Sequence, residues 1–250
     1  ALGKLSEDPH NAVMVITGLT KLKMGKVFDK YPNITLATSN GLVFYWGRNL
    51  LTEEESAELT EENASSIEDK WQTMNFDIDW ETVKEIAVPI MTRFVFRTNG
   101  TCLTPRIPGI GWSYFGSDPD WGERQASQLK VELESSLAKL DVKIVSQIQG
   151  SLEIVPSKLD KGFFVSRFMD RVINQRAGVL PAMTMVIGDD VSDDMMFLAV
   201  GNALRSSGPG QRPNFMRNFT IVVGKRDSPA DFYLNDVTDV ENLLSRLGDD

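Results

Sequence analysis

The stretch 186-VIGDDVSDDMMF-197 places four aspartates within six residues, directly behind an apolar run. The run itself, 183-MTMVI-187, is short and largely apolar, which predicts a buried strand. A helix is predicted to start near Ser192, a good capping residue. The acidic turn therefore sits between a strand and a helix, the signature of an α/β fold. Four like charges so close together repel, so solvent or something positive must be near them. Asp193 and Asp194 suit the first turn of the helix, where carboxylates meet the positive end of its dipole. Asp189 has no such excuse. A carboxylate where a buried strand ends is costly without a partner, and a hard cation is the economical one. Magnesium is held by one or two carboxylates plus phosphate oxygens and waters. The pattern thus predicts a Mg²⁺-assisted phosphoryl site with Asp189 and Asp190 as metal ligands and Asp193 beside them.

Working outward, 12-AVMVIT-17, 34-ITLAT-38, 42-LVFYW-46 and 219-FTIVV-223 read as further strands. Helices are predicted over 20–30, 160–176 and 238–247. In the first of these, Leu22, Val27 and Phe28 are the expected inward residues. Strands alternating with helices predict a mainly parallel sheet covered on both faces, with ligands beyond the carboxyl ends of its strands. Thr17 lies at such an end and offers a hydroxyl. Lys161 opens the 160–176 helix and offers a point charge for a phosphoryl oxygen.

Between them the texture changes. A helix over 78–98 should be kinked or split by Pro89. Short β-type pieces then flank a helix at 119–139, with Leu129, Val131, Leu133, Leu137 and Leu140 as core candidates. This predicts a small α+β layer at 98–158, inserted into a core formed by 1–97 and 159–250. The acidic run 52–70 reads as a solvated helix or loop, and 206–214 as a Gly/Pro/Ser loop.

The 250 residues carry a net charge of −9, which argues against a nucleic-acid surface and against anionic membrane. No apolar run is long enough for a transmembrane helix. One cysteine, Cys102, excludes an intrachain disulfide and fits a reducing, cytoplasmic setting. The chain starts with Ala1 inside a predicted helix and reads as a segment of something longer.

The order Thr17, inserted layer, Lys161, then Asp189-Asp190 resembles the haloacid dehalogenase superfamily of phosphotransferases. More narrowly, the chain resembles the trehalose-6-phosphate phosphatase family, including the phosphatase-like domain that follows the synthase in fused proteins. The segments 8-DPHNAVMVITGL-19, 118-DPDWGERQASQLKVELESSLA-138, 153-EIVPSKLDKG-162, 188-GDDVSDDMMF-197 and 223-VGKRDSPADFYLNDVTDVENLLSRL-247 carry the likeness nearly end to end. The resemblance implies a Rossmann-like core with a small cap, Mg²⁺, a phosphorylated disaccharide (trehalose 6-phosphate) and an aspartyl-phosphate intermediate. In that family the nucleophile lies on the first strand, in an Asp-x-Asp-Gly-Thr motif. No such motif occurs in these 250 residues. The expected core therefore lacks its first strand.

Other departures fall on the sugar side. The family's Ser-Gly-Arg is Thr17-Gly18-Leu19 here. Its cap signature Gly-Ser-x-x-Glu-x-Lys reads Gly100-Thr101-Cys102-Leu103-Thr104-Pro105-Arg106, and its Trp-His-Tyr is Trp112-Ser113-Tyr114. Thr104, Arg106 and Tyr114 remain as candidates for gripping sugar. Three functions stay open: a trehalose-phosphatase-like domain with a degenerate sugar side, inactive as this chain; a non-catalytic regulatory or scaffolding domain for a linked trehalose-6-phosphate synthase, a glycosyltransferase; and a phosphatase for another sugar phosphate.

Overall fold

A computed structural model describes residues 1–58, 70–106, 108–147, 150–206, 208, 213 and 215–249. Most of the acidic run (59–69) and most of the 206–214 loop lie outside the described residues. The chain divides into two compact units: Ala1–Met74 with Leu159–Asp250, and Asn75–Lys158.

The first unit begins with helix α1 (Leu2–Glu7), strand β1 (Val13–Ile16), helix α2 (Lys21–Phe28), and strands β2 (Ile34–Thr38) and β3 (Val43–Tyr45). Helix α3 (Glu53–Glu58) and the two-residue strand β4 (Gln72–Thr73) close this half. The second unit holds α4 (Trp80–Arg97), β5 (Cys102–Pro105), β6 (Ile110–Ser113), α5 (Pro119–Ser136), β7 (Val142–Gln147) and β8 (Ser151–Pro156). The first unit resumes with α6 (Lys161–Gln175), β9 (Met183–Gly188), α7 (Asp194–Ser206), β10 (Arg217–Val223), β11 (Phe232–Leu234) and α8 (Val237–Asp249).

The first unit's sheets are mixed, not mainly parallel. Strands β9, β10 and β11 are parallel throughout, and β1 is parallel to β2, but β3 is antiparallel to both β2 and β4. The reason lies in 39-SNG-41. A three-residue 3-10 turn with Ser39, Asn40 and Gly41 at φ of 50°, 59° and 96° reverses the chain at once. A parallel return needs a crossover of about a dozen residues or more. Gly41 is required here twice over, since a Cβ would also stand 2.5 Å from Phe164 Cβ.

Helices α6 and α7 pack together on this unit. Val165, Met169, Met196, Ala199 and Val200 form a buried cluster, against which Met14 and Ile16 of β1 and Val186 of β9 also pack. Strand β1 is apolar and β9 mostly so, yet β1 stays half-buried and β9 half-buried after an exposed Met183, whereas β2 is wholly buried. Among the described residues each pairs with a neighbour on one edge only.

The second unit is an antiparallel sheet in the order β5-β6-β8-β7, with α4 and α5 on one face. Val83, Ala87, Met91 and Phe94 of α4 meet Leu129 and Leu133 of α5 around fully buried Trp112. Helix α4 thus packs on this unit's sheet, and the unit takes in residues from Asn75, upstream of the change of texture at 98. The helix also runs on through Pro89 without splitting. Proline removes one backbone hydrogen bond, and the four buried side chains of α4 hold the helix across that gap.

Three further expectations fail locally. Leu22 and Val27 of α2 are exposed, and Gly25 is the helix's buried residue. Val131 of α5 is exposed while Leu129, Leu133 and Leu137 are buried. The cap after β9 is Asp190 rather than Ser192, because a 3-10 turn, Val191–Asp193, precedes α7.

Candidate phosphoryl and metal site

The four aspartates have four different occupations. Asp190 caps the 3-10 turn: one oxygen accepts from Val191 N–H at 2.6 Å and the other from the Ser192 hydroxyl at 3.2 Å. Asp193 is buried, 3% exposed, and it is the hub. Its Oδ1 accepts from Lys161 Nζ at 2.5 Å, and its Oδ2 accepts from the backbone N–H groups of Asp189 and Asp190 at 2.8 and 2.9 Å. Gly188 is what lets Asp193 in, since a Cβ there would stand 2.4 Å from Asp193 Cβ. Asp194 turns the other way and is held by both ends of the Arg226 fork, at 2.7 and 3.0 Å, and by the Ser228 hydroxyl at 2.8 Å. Those Arg226 hydrogen bonds, joined by the one from Ser228, keep the Asp194 carboxyl below the usual carboxylate range against the opposing pull of desolvation. The same bond raises the Arg226 guanidinium above its ordinary value.

Asp189 is left over. It is exposed, and its side chain has no partner among the described residues, while its backbone is held at both ends. Two cations and a cap therefore offset three of the charges, and one carboxylate is presented at the strand's end.

Lys161 reaches Asp193 from the start of α6. Asp160 caps that helix by accepting from Phe163 N–H at 2.7 Å. Gly162 lets α6 and α7 approach, for a Cβ there would lie 2.3 Å from the Met195 carbonyl oxygen. The pair is nearly enclosed, with side chains 11% and 5% exposed. Thr17 follows β1, and its hydroxyl accepts from Leu19 N–H at 3.1 Å while its carbonyl accepts from Asn40 N–H at 2.9 Å. The link from Thr17 to the Lys161 helix runs through the 39–41 turn, where Gly41 touches Phe164. The two Asp-x-Asp sequences in the chain, 77–79 and 118–120, are helix starts: Asp79 accepts from the N–H groups of Glu81 and Thr82, and Asp118 from that of Trp121.

Among the described residues no three His, Cys, Asp or Glu side chains converge as a metal cage. Among the described residues of the 188–194 turn, the carboxylate left free is that of Asp189. That fits one ligand of a magnesium ion that takes the rest from phosphate and water.

The second unit's candidates do not stay together. Arg106 Nε donates to Glu153 Oε1 at 2.7 Å, and Glu153 Oε2 accepts from Gln147 Nε2 at 3.2 Å. Thr104 lies near them, its buried hydroxyl without a hydrogen-bond partner and close to Gly111. Tyr114 instead packs with the helices, its ring 5.5 Å from that of Trp112. Arg226 and Ser228 escaped the sequence reading. Their signal is 225-KRDS-228, a basic pair just beyond an apolar strand run and at the same end of β10 as Asp189 is of β9.

The family model described as Trehalose-phosphatase matches residues 1–238. The chain is 27% identical over 249 residues to the probable UDP-forming alpha,alpha-trehalose-phosphate synthase 10 of Arabidopsis thaliana, covering 99% of this chain and 26% of that protein. It thus spans about a quarter of that relative's length. Among solved structures it is similar to the C-terminal domain of Candida albicans trehalose-6-phosphate phosphatase, with a TM-score of 0.68 and 23% identity over 99% of this chain and 82% of that one. It is also similar to the C-terminal domain of the Candida albicans trehalose synthase regulatory protein, with a TM-score of 0.61 and 12% identity over 96% of this chain and 82% of that one. These likenesses show the fold.

Proposed function

The chain belongs to the trehalose-phosphatase family, and from that membership we propose a phosphatase-like domain of a trehalose-biosynthesis protein that keeps the phosphate- and metal-binding end but turns nothing over by itself. The observation that carries this reading is the unspent Asp189 carboxylate beside the Lys161–Asp193 pair. Asp189 would hold Mg²⁺, and the ion would neutralise charge on phosphoryl oxygens. Lys161 is committed to Asp193 and fixes it, and Asp193 in turn fixes the Asp189 and Asp190 amides. Thr17 would offer its hydroxyl and nearby backbone N–H groups to a phosphoryl oxygen.

None of these groups suits nucleophilic attack. The Lys161 amine is taken up by Asp193, and among the described residues the Thr17 hydroxyl is hydrogen-bonded to the Leu19 N–H and not to a base. The half-buried apolar edges of β1 and β9, on the same helix pair, support a missing parallel strand between them as the place for an attacking aspartate. Phosphate release from trehalose 6-phosphate by the purified chain, with ample Mg²⁺, is the test. No release above buffer is expected. Turnover above buffer would show that a group within these 250 residues attacks, and the reading would fall.

A second reading, a regulatory or scaffolding domain for a linked trehalose-6-phosphate synthase, draws on the second unit. There Arg106 is tied to Glu153 and Tyr114 is packed inward, so few polar groups stand ready for a disaccharide. A site built to bond hydroxyls discriminates poorly once its donors are gone. Co-expression with the synthase, with and without this domain, separates the two readings by synthase activity.

A further inference from the structure

Arg226 uses every donor it has. A guanidinium carries five N–H groups. Its Nε donates to the Asp189 carbonyl at 3.1 Å; Nη1 donates to Asp194 Oδ2 and to the Asp227 carbonyl, each at 3.0 Å; Nη2 donates to the Asp190 carbonyl at 2.8 Å and to Asp194 Oδ1 at 2.7 Å. No donor remains for a phosphoryl oxygen. The residue therefore does not act as a charge clamp on substrate, despite lying beside the acidic turn.

What it does hold is the Asp189–Asp190 backbone. The N–H groups of both residues go to Asp193 from one side, and both carbonyls go to Arg226 from the other. Every backbone polar atom of the pair is thereby fixed by a charged side chain. Asp194, backed by Ser228, aims the fork. A lysine at 226 could not reproduce this, because an ammonium is a point donor rather than a planar fork.

We propose that Arg226 is a positioning residue, which with Asp194 holds the 189–190 backbone so that the Asp189 carboxylate is presented to a divalent cation. The inference rests on the metal role given to Asp189 above. Partners that orient a ligand from behind typically matter by about 10–100-fold in metal affinity. The sign of the effect is diagnostic. Arg226 is a cation near the site, so by Coulomb's law alone its removal should tighten Mn²⁺ binding. Loss of positioning should weaken it.

The test measures Mn²⁺ binding and backbone amide exchange on the full 250-residue chain, comparing wild type with Asp189→Ala, Arg226→Lys and Arg226→Met. Asp189→Ala is expected to abolish binding. Each Arg226 variant is expected to weaken it by about tenfold or more, with faster amide exchange at Asp189 and Asp190 in the absence of metal. Unchanged or tighter binding in Arg226→Met would overturn the proposal while leaving the role of Asp189 intact. If Asp189→Ala binds Mn²⁺ as wild type does, the metal role falls instead, and the exchange arm alone decides: faster exchange at 189 and 190 in Arg226→Lys sustains the positioning, and unchanged exchange overturns it. Should both Arg226 variants fail to fold, Asp194→Asn, which keeps the shape and loses the charge, replaces them in the same two measurements.

Discussion

The strand-end turn at 188–194 and the β5-β6-β8-β7 sheet both gather charged side chains, and they dispose of them differently. At the turn, Lys161, Arg226 and the capping role of Asp190 account for three carboxylates and leave Asp189 free. On the sheet, Arg106 and Glu153 account for each other, and Gln147 takes the remaining oxygen. One region ends with a ligand to offer and the other with its charges closed upon themselves. The difference teaches that a count of polar residues says little about a site. What matters is which groups remain unspent once the structure has satisfied itself.

The largest expected effect sets the two ion pairs against each other. Lys161→Met leaves Asp193 charged, buried and unpaired, which should cost about 3–5 kcal/mol. Arg106→Met breaks a pair whose arginine side chain is 36% exposed, and should cost within about 1 kcal/mol. Urea denaturation of both variants measures this. Equal losses would mean that the turn is no more tightly built than the sheet face.

The contrast was partly legible in the residues. Gly188-Asp189-Asp190 behind an apolar run announces a strand-end site by pattern alone, and Lys161 opening a helix announces a cation. Partner choice was not legible. Nothing local pairs Lys161 with Asp193 rather than with a phosphoryl oxygen, because the residues are 32 apart and meet only when α6 packs on α7. Arg226 is as far from Asp194 in sequence. Sheet direction failed for a different reason. Apolar runs mark strands but not their sense, and the 39–41 turn, readable as a tight reversal, decides it for β3. Val131 and Leu22 show the limit of periodicity: they are apolar residues at plausible helical spacing, yet both are exposed.

Next in size, Gly188→Ala separates the regions by sterics. The new Cβ would meet Asp193 Cβ at 2.4 Å and its carboxyl carbon at 2.6 Å. Asp193 must shift away from the amides it holds, at a cost of about 1–3 kcal/mol. Mn²⁺ binding should weaken with it. The matching variant on the sheet is Gly111→Ala, whose Cβ would meet Thr104 Oγ1 at 2.7 Å. That substitution should lower stability and leave Mn²⁺ affinity where it was. Unchanged Mn²⁺ binding in Gly188→Ala would place the metal outside the 188–194 turn.

The smallest effect tests the Asp194–Arg226 clasp by pH. The hydrogen bonds from Arg226 and Ser228 hold the folded carboxyl of Asp194 below its unfolded value, and desolvation only partly opposes them. An unfolded aspartate titrates near 3.9. The native state therefore binds fewer protons in the window below that value, and the contribution is present above it and lost as pH falls through the folded value. Both side chains are about a fifth exposed, at 20% and 22%, so solvent screens the pair and its worth at neutral pH is about 1 kcal/mol. Asp194→Asn lacks this contribution at every pH. The stability gap between wild type and variant should be level from about pH 7 to pH 5 and close below about pH 4. Protonation of the other carboxylates lowers both proteins together and leaves the gap untouched. Denaturation midpoints across that range measure it, and a gap that persists or widens below pH 4 would show that Asp194 is held by shape rather than by charge.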